Sequence, residues 1–123
     1  MDSADPFIAC FGNVEHVTER DGKPIGTRGH NGHPYNVPWG FYALLKYIDK
    51  TWAQPEANCL GRQLPILVTE NGYAAQDEKG RSMKEIINDV ERIDYFAGYL
   101  ASLVRAKKEG TPIIGYMAWS LME

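Results

Sequence analysis

Glu70 is the acid in this sequence best placed to do chemistry. It directly follows Pro65-Ile66-Leu67-Val68-Thr69, a short apolar run rich in branched side chains, and precedes Asn71-Gly72. Such a run reads as a buried strand. In parallel α/β architectures, reactive groups gather at the carboxyl ends of strands. A carboxylate there could be a nucleophile, a general base, a metal ligand or a solvated loop residue, and position alone does not separate these. Asn71-Gly72 could also be a hairpin turn, but a hairpin needs a strand straight afterwards, and none precedes the next helical segment. His16, His30 and His33 raise the question of a metal. His30 and His33 sit in a Gly-rich run with no cysteine or acid pattern around them, so they read as solvated loop histidines. No metal and no cofactor is expected.

The elements that must position Glu70 follow from periodicity. Phe41, Leu44, Leu45, Ile48 and Trp52 recur at helical spacing behind Pro38, which predicts a helix over about residues 39–52. Trp39, Phe41, Tyr47 and Trp52 are expected to pack that helix against a sheet. Ser82-Met83-Lys84-Glu85 fits a capping box. Behind it, Ile86, Val90, Ile93, Ala97, Leu100 and Val104 form one continuous apolar face, Lys107 and Lys108 suit a helix C-terminus, and Gly110 can stop the helix. Ile113-Ile114-Gly115-Tyr116-Met117-Ala118-Trp119 is a second strand candidate. The order helix, strand, helix, strand predicts an α/β fold with parallel strands joined by a crossover. That order suits an open doubly wound sheet or a (β/α)8 barrel. Residues 1–37 carry little periodicity and read largely as loop, Gly- and Pro-rich from Asp21 to Pro38.

Composition bounds the partners. Of the 123 residues, 44% are hydrophobic and 24% charged, and the net charge is −3. That is too apolar for disorder and gives no electrostatic reason to expect nucleic acid or an anionic membrane surface. No stretch approaches the roughly 18 apolar residues of a membrane-spanning helix. The start, Met1-Asp2-Ser3-Ala4-Asp5, lacks the regions of a secretory signal. Cys10 and Cys59 have no metal-type spacing and read as buried or half-buried free thiols. A cytoplasmic location is the expectation.

Several segments, in order, resemble glycoside hydrolase family 1, the β-glucosidase-type enzymes. Val68-Thr69-Glu70-Asn71-Gly72 resembles the signature around that family's nucleophile on the seventh strand of a (β/α)8, or TIM, barrel. Pro38-Trp39-Gly40-Phe41 with Leu44-Leu45 resembles the helix before that strand. Asp89, Arg92 and Tyr95, with Tyr99-Leu100, resemble its Asp-x-x-Arg-x-x-Tyr helix. Gly115 to Leu121 resembles the eighth strand with its sugar-site Trp-Ser pair, and Phe11-Gly12-Asn13-Val14-Glu15 looks closest to fungal members.

The resemblance implies a C-terminal piece of such a barrel, holding the last two strands and their helices over residues 1–123. It implies Glu70 as the catalytic nucleophile, ionised among polar neighbours; Trp119 as the substrate-binding floor of the sugar site; and Asp89 and Arg92 in structural roles. On residue type alone, Trp119 reads equally as a core or interface aromatic, and Asp89, Arg92 and Asp94 as an exposed charge set. The implied partner is a β-glucoside or oligosaccharide. A retaining glycosidase pairs two carboxyl groups about 5–5.5 Å apart, one attacking and one protonating the leaving oxygen. The family's acid/base sits in an Asn-Glu-Pro motif, and no such tripeptide occurs in these 123 residues. Glu123 stands where the family has Asp and is not the family's sugar-binding Glu. A closed (β/α)8 barrel takes about 200–250 residues, so this chain alone is expected to be inactive. The competing reading is a non-catalytic sugar- or protein-binding module.

Overall fold

The structure, a computed structural model, describes residues 17–30, 35–75 and 80–120. Two strands and two helices form its body. Strand β5 (Ile66–Asn71) pairs in parallel with β6 (Ile113–Ala118). Helix α1 (Pro38–Ile48) precedes β5, and α2 (Met83–Ile87) and α3 (Val90–Lys108) cross from β5 to β6. This is the expected α/β order. Upstream, β1 (Glu19–Arg20) pairs with β2 (Lys23–Pro24), and β3 (Thr27–Arg28) with β4 (Tyr35–Asn36). The stretch read as loop therefore holds two short antiparallel ladders. The first turns through Asp21 and Gly22, both at positive φ (53° and 71°). An Asp-Gly pair in left-handed backbone is the signature of a two-residue hairpin, and that signal was available in the sequence.

Helix α1 starts on Pro38, which has no amide proton to leave unpaired. It runs as α-helix to Ile48 and continues as a π-helical turn over Asp49–Ala53, close to the expected end at Trp52. Helix α2 opens with the expected capping box. Glu85 N–H donates to the Ser82 hydroxyl at 3.4 Å and Ser82 N–H donates to Glu85 at 2.8 Å. The chain then breaks at Asn88–Asp89, and Asp89 caps α3 by accepting Arg92 N–H at 3.2 Å. At the far end Gly110 (φ 94°) and Thr111 close a Schellman turn: Thr111 N–H reaches Ala106 and Gly110 N–H reaches Lys107. Lys107 adds its ammonium on the Ile113 carbonyl at 2.8 Å.

The apolar stripe expected to bury α3 does not do so. Val90, Ile93, Leu100 and Val104 are exposed, as is Ile86 on the separate α2, while Tyr95, Tyr99, Leu103 and Ala106 are buried. The reason is the neighbour. Helix α3 packs on α1 and β5–β6 through its tyrosine side, where Gly98 lets it approach closely; a Cβ there would meet Pro38 Cγ at 2.7 Å. The tyrosine hydroxyls find partners inside, so these rings can be buried without an orphaned polar atom. The aromatic expectation for α1 also needs correction. Phe41 does pack on the core, but Trp39, Tyr47 and Trp52 are more than half exposed. Trp39 donates its indole N–H to the Ile25 carbonyl at 3.1 Å, and Tyr47 meets Trp52 edge-on.

The core lies between the two helices and one face of the sheet: Leu45, Ala53, Ile66, Leu103, Ala106 and Ile113. A second cluster stacks Tyr73, Tyr95 and Tyr99, with centroids 5.0 and 4.1 Å apart. Leu67, Ile114 and Met117 are exposed. Parallel sheets are ordinarily covered on both faces; among the described residues, helices pack on one face of this one. Cys59 is a free and exposed thiol, not a buried one, because it sits beyond the Pro55–Ala57 turn. Cys10, His16, His33, Glu123 and the Phe11–Glu15 segment lie outside the described residues. Among the described residues, no helix is long and apolar enough to cross a membrane.

Candidate active site

Glu70 is the penultimate residue of β5, at its carboxyl end, and is exposed. Its placement follows from the strand. The register between β5 and β6 pairs Val68 with Tyr116 and then Asn71 with Ala118, with a shift in between. Such a bulge interrupts the two-residue alternation and re-aims side chains. Thr69 and Glu70 are both exposed, whereas Asn71 is half-buried. No hydrogen bond reaches the Glu70 carboxylate from the described residues.

Trp119 follows β6 directly. Its N–H donates to the Asn71 carbonyl at 2.8 Å, and its side chain is 57% exposed. The Trp119–Ser120 peptide is cis. Gly72 allows this contact, since a Cβ on it would lie 2.0 Å from the Trp119 carbonyl oxygen. The structure thus brings Glu70 and Trp119 to the same end of the same sheet, Glu70 within β5 and Trp119 just after β6.

Around them lies a polar frame that sequence reasoning missed in part. The Asn71 amide donates to the Tyr95 hydroxyl at 2.9 Å and accepts the Tyr116 hydroxyl at 2.6 Å. Burial, before the nearby Tyr99, pushes the Tyr95 phenol far above its ordinary value; burial likewise raises Tyr116. Both stay protonated near neutrality and can donate. No sequence signal tied Tyr116 to Asn71, because hydrogen-bond partners on neighbouring strands have no fixed spacing along the chain. Asp89 and Arg92 hold structure: Arg92 pairs with Asp89 at 2.6 Å and donates to the Tyr73 carbonyl at 3.1 Å. Tyr73 in turn donates its hydroxyl to the Arg28 carbonyl at 3.1 Å, and His30 N–H reaches the Ala74 carbonyl at 3.0 Å. The loop after Glu70 is therefore pinned by α3 on one side and the β3–β4 segment on the other.

A polar cleft of 340 Å³ lies beside the start of α3, lined by residues that include Arg28, Asn36, Arg81, Glu91 and Asp94. Glu70 and Trp119 do not line it. Arg81 pairs with Glu91 at 2.9 Å, and the Asn36 amide donates to Asp94 at 3.1 Å. Among the described residues, no group of three His, Cys, Asp or Glu side chains could hold a metal ion.

Comparison with known proteins gives these features a family. The model of glycosyl hydrolase family 1 matches residues 12–123. "Beta-glucosidase 4" of Oryza sativa subsp. japonica is 34% identical over the whole of this chain, which covers 24% of that protein. "Beta-glucosidase 1B" of Phanerodontia chrysosporium is 37% identical over 91% of this chain and 19% of its own length. In three dimensions, the β-glucosidase from Trichoderma harzianum matches 89% of this chain and 22% of its own, with a TM-score of 0.77 and 28% identity. The chain thus spans about a fifth to a quarter of these relatives. With nearly its whole length matched by one family model, this chain belongs to glycosyl hydrolase family 1, among β-glucosidase-like proteins.

Proposed function

We propose that this chain carries the nucleophile side of a retaining β-glycosidase site, with Glu70 as the attacking carboxylate and Trp119 as the sugar platform. The observation that carries this reading is the pairing of the two strand ends. An exposed acid at the end of β5 and an exposed indole after β6 are held together by the Trp119-to-Asn71 hydrogen bond, within the family's own sequence context. In this reading β5, α2–α3 and β6 are the last two strand–helix units of a (β/α)8 barrel. Its substrate is a β-glucoside or oligosaccharide.

The chemistry takes two steps. Glu70 attacks the anomeric carbon and forms a covalent glycosyl ester as the bond to the leaving oxygen breaks. Water then cleaves the ester. Both steps need a second carboxyl group, first to protonate the leaving oxygen and then to activate the water, and the family keeps it in Asn-Glu-Pro. No such motif occurs in this sequence. General acid–base help is worth on the order of 10²–10⁴ in rate, and positioning contributes more. The 123-residue chain alone is therefore inactive in this reading.

The test is a 2-deoxy-2-fluoro-glucoside, which traps the glycosyl ester for intact-mass analysis. The chain alone should stay unlabelled. A chimera in which residues 17–123 replace the matching segment of Beta-glucosidase 1B should label at Glu70. A label on another carboxylate of the chimera sinks the assignment. A second reading, a non-catalytic sugar- or protein-binding module, draws on the exposure of Trp39, Trp52 and Trp119. It predicts that cellobiose quenches tryptophan fluorescence of the chain alone, without turnover.

A further inference from the structure

The Asn71 side chain is gripped at both ends. Its carbonyl oxygen takes the Tyr116 hydroxyl of β6 at 2.6 Å, and its NH₂ donates to the Tyr95 hydroxyl of α3 at 2.9 Å. Its backbone carbonyl takes Trp119 N–H at 2.8 Å. Only a side chain with a donor and an acceptor on one planar group makes both side-chain contacts at once. The line continues inward. Tyr95, 1% exposed, stacks on Tyr99 with ring centroids 4.1 Å apart. Tyr99 donates to the Tyr35 carbonyl at 3.1 Å and accepts Val37 N–H at 3.2 Å. Asn71 is thus linked, through the stacked Tyr95 and Tyr99, to the segment that leads into α1.

That anchor sits at one of the two register shifts of the ladder. Between Val68 and Asn71 the strand slips register against β6. Backbone bonds that would ordinarily hold a strand end are disrupted at a bulge, so something else must fix the direction of the residues inside it. Glu70 is one of them, and its carboxylate takes no hydrogen bond from the described residues. We infer that Asn71 is the positioning residue for Glu70: its amide, clamped between Tyr95 and Tyr116, holds the bulged end of β5 and so fixes the direction in which Glu70 leaves the strand. The functional consequence rests on the nucleophile reading of Glu70; the geometry does not.

The test compares the full 123-residue chain with Asn71→Leu, Asn71→Asp and Tyr116→Phe, isotopically labelled for NMR. Three-bond couplings report the Glu70 χ1 angle, and amide exchange reports the Trp119 N–H. With Asn71→Leu, Trp119 exchange should quicken about tenfold, the scale of one lost hydrogen bond. The Glu70 couplings should collapse towards rotamer averages, while exchange in α1 changes by less than about twofold. Tyr116→Phe should move the same signals by a smaller amount. Asn71→Asp adds a rescue that a mere space-filling role does not produce. Once acid protonates the introduced carboxyl, it regains a donor beside its acceptor, and Trp119 protection should recover, after correction for intrinsic exchange. Unchanged Glu70 couplings in Asn71→Leu overturn the inference. If that variant does not fold, unchanged couplings in Tyr116→Phe overturn it instead. Fluoroglucoside labelling of the chimera at another carboxylate would remove Glu70's chemical role and leave these couplings as measured, so the two failures are distinguishable.

Discussion

Trp119 N–H donates to the carbonyl of Asn71 at 2.8 Å, across the carboxyl ends of β5 and β6. The two segments that carry the family resemblance most strongly are therefore one structural unit. Gly72 makes the contact possible by leaving room for the Trp119 carbonyl. Gly72→Ala should destabilise the chain by about 1–3 kcal/mol, the usual cost of overpacking, and shift the Trp119 fluorescence maximum. Urea melts and emission spectra check both. A neutral Gly72→Ala would mean that the strand ends separate freely.

The buried Asp49 ties the other end of the molecule. Its carboxylate accepts Thr111 at 3.0 Å and Gln54 at 2.5 Å, with Lys46 at 4.0 Å. Asp49→Ala should cost about 2–4 kcal/mol, because charge-assisted bonds are lost and the buried Thr111 hydroxyl loses its acceptor, keeping only the Lys46 donor. Lys46 is one-third exposed, so Lys46→Met should cost under about 1 kcal/mol. Equal losses for the two variants in denaturant unfolding would contradict this division.

Alkaline pH should unfold the chain through its tyrosines. Burial raises Tyr95, Tyr116 and Tyr73 above the ordinary phenol value. In the unfolded chain these phenols ionise near pH 10. Above that pH the unfolded state binds fewer protons than the folded one, so stability falls as pH rises and is intact below. The slope from Tyr95 alone approaches about 1.4 kcal/mol per pH unit. Thermal midpoints between pH 8 and 11.5 should show the decline, and Tyr95→Phe should make it shallower.

Acid acts on α2. The Ser82 hydroxyl, then its backbone N–H, holds the Glu85 carboxyl below its usual range. A lowered folded-state value means that this stabilisation is present above the unfolded carboxylate range, near pH 4.3, and is lost as pH falls through the folded value. Ser82→Ala should speed exchange of the Glu85 and Ile86 amides about fivefold at neutral pH, the scale of a lost N-cap. It should also remove the acid-induced step seen in the unmodified chain.

The uncovered face of the sheet should make the chain associate. Leu67, Ile114 and Met117 are exposed on a parallel sheet that has two strands among the described residues, and unpaired strand edges recruit further strands. Sedimentation of the chain should show concentration-dependent assembly, and Leu67→Thr with Met117→Lys should reduce it severalfold. Monomer behaviour at all concentrations would contradict this expectation.

Much of this was legible in the residues. The capping box at Ser82–Glu85, Pro38 at the first turn of α1, Gly110 after α3 and both long strands stand where local chemistry put them, since each depends on neighbours a few positions away. The burial of α3 was not legible. Its aliphatic stripe satisfies helical periodicity, yet Tyr95 and Tyr99 point inward, because hydroxyls with partners can be buried and aliphatic groups without a covering element cannot. Trp39, Tyr47 and Trp52 fail for the same reason. At the site, the strand-end position of Glu70 followed from the order of elements, and the place of Trp119 beside it came only from the family resemblance. The amide clamp of Asn71 did not, because it joins three elements at separations that no motif encodes.

The parallel pairing of Ile66 with Ile113 also constrains the order of events when the chain folds. No tight turn can join these strands; the connecting segment must first shorten, and α3 is what shortens it. Loop-closure entropy is charged before any β5–β6 bond forms. The Asp89 cap and the Schellman turn at Gly110 therefore act kinetically: substitutions that weaken them should slow refolding, while substitutions at the sheet, such as Ile113→Val, should chiefly hasten unfolding.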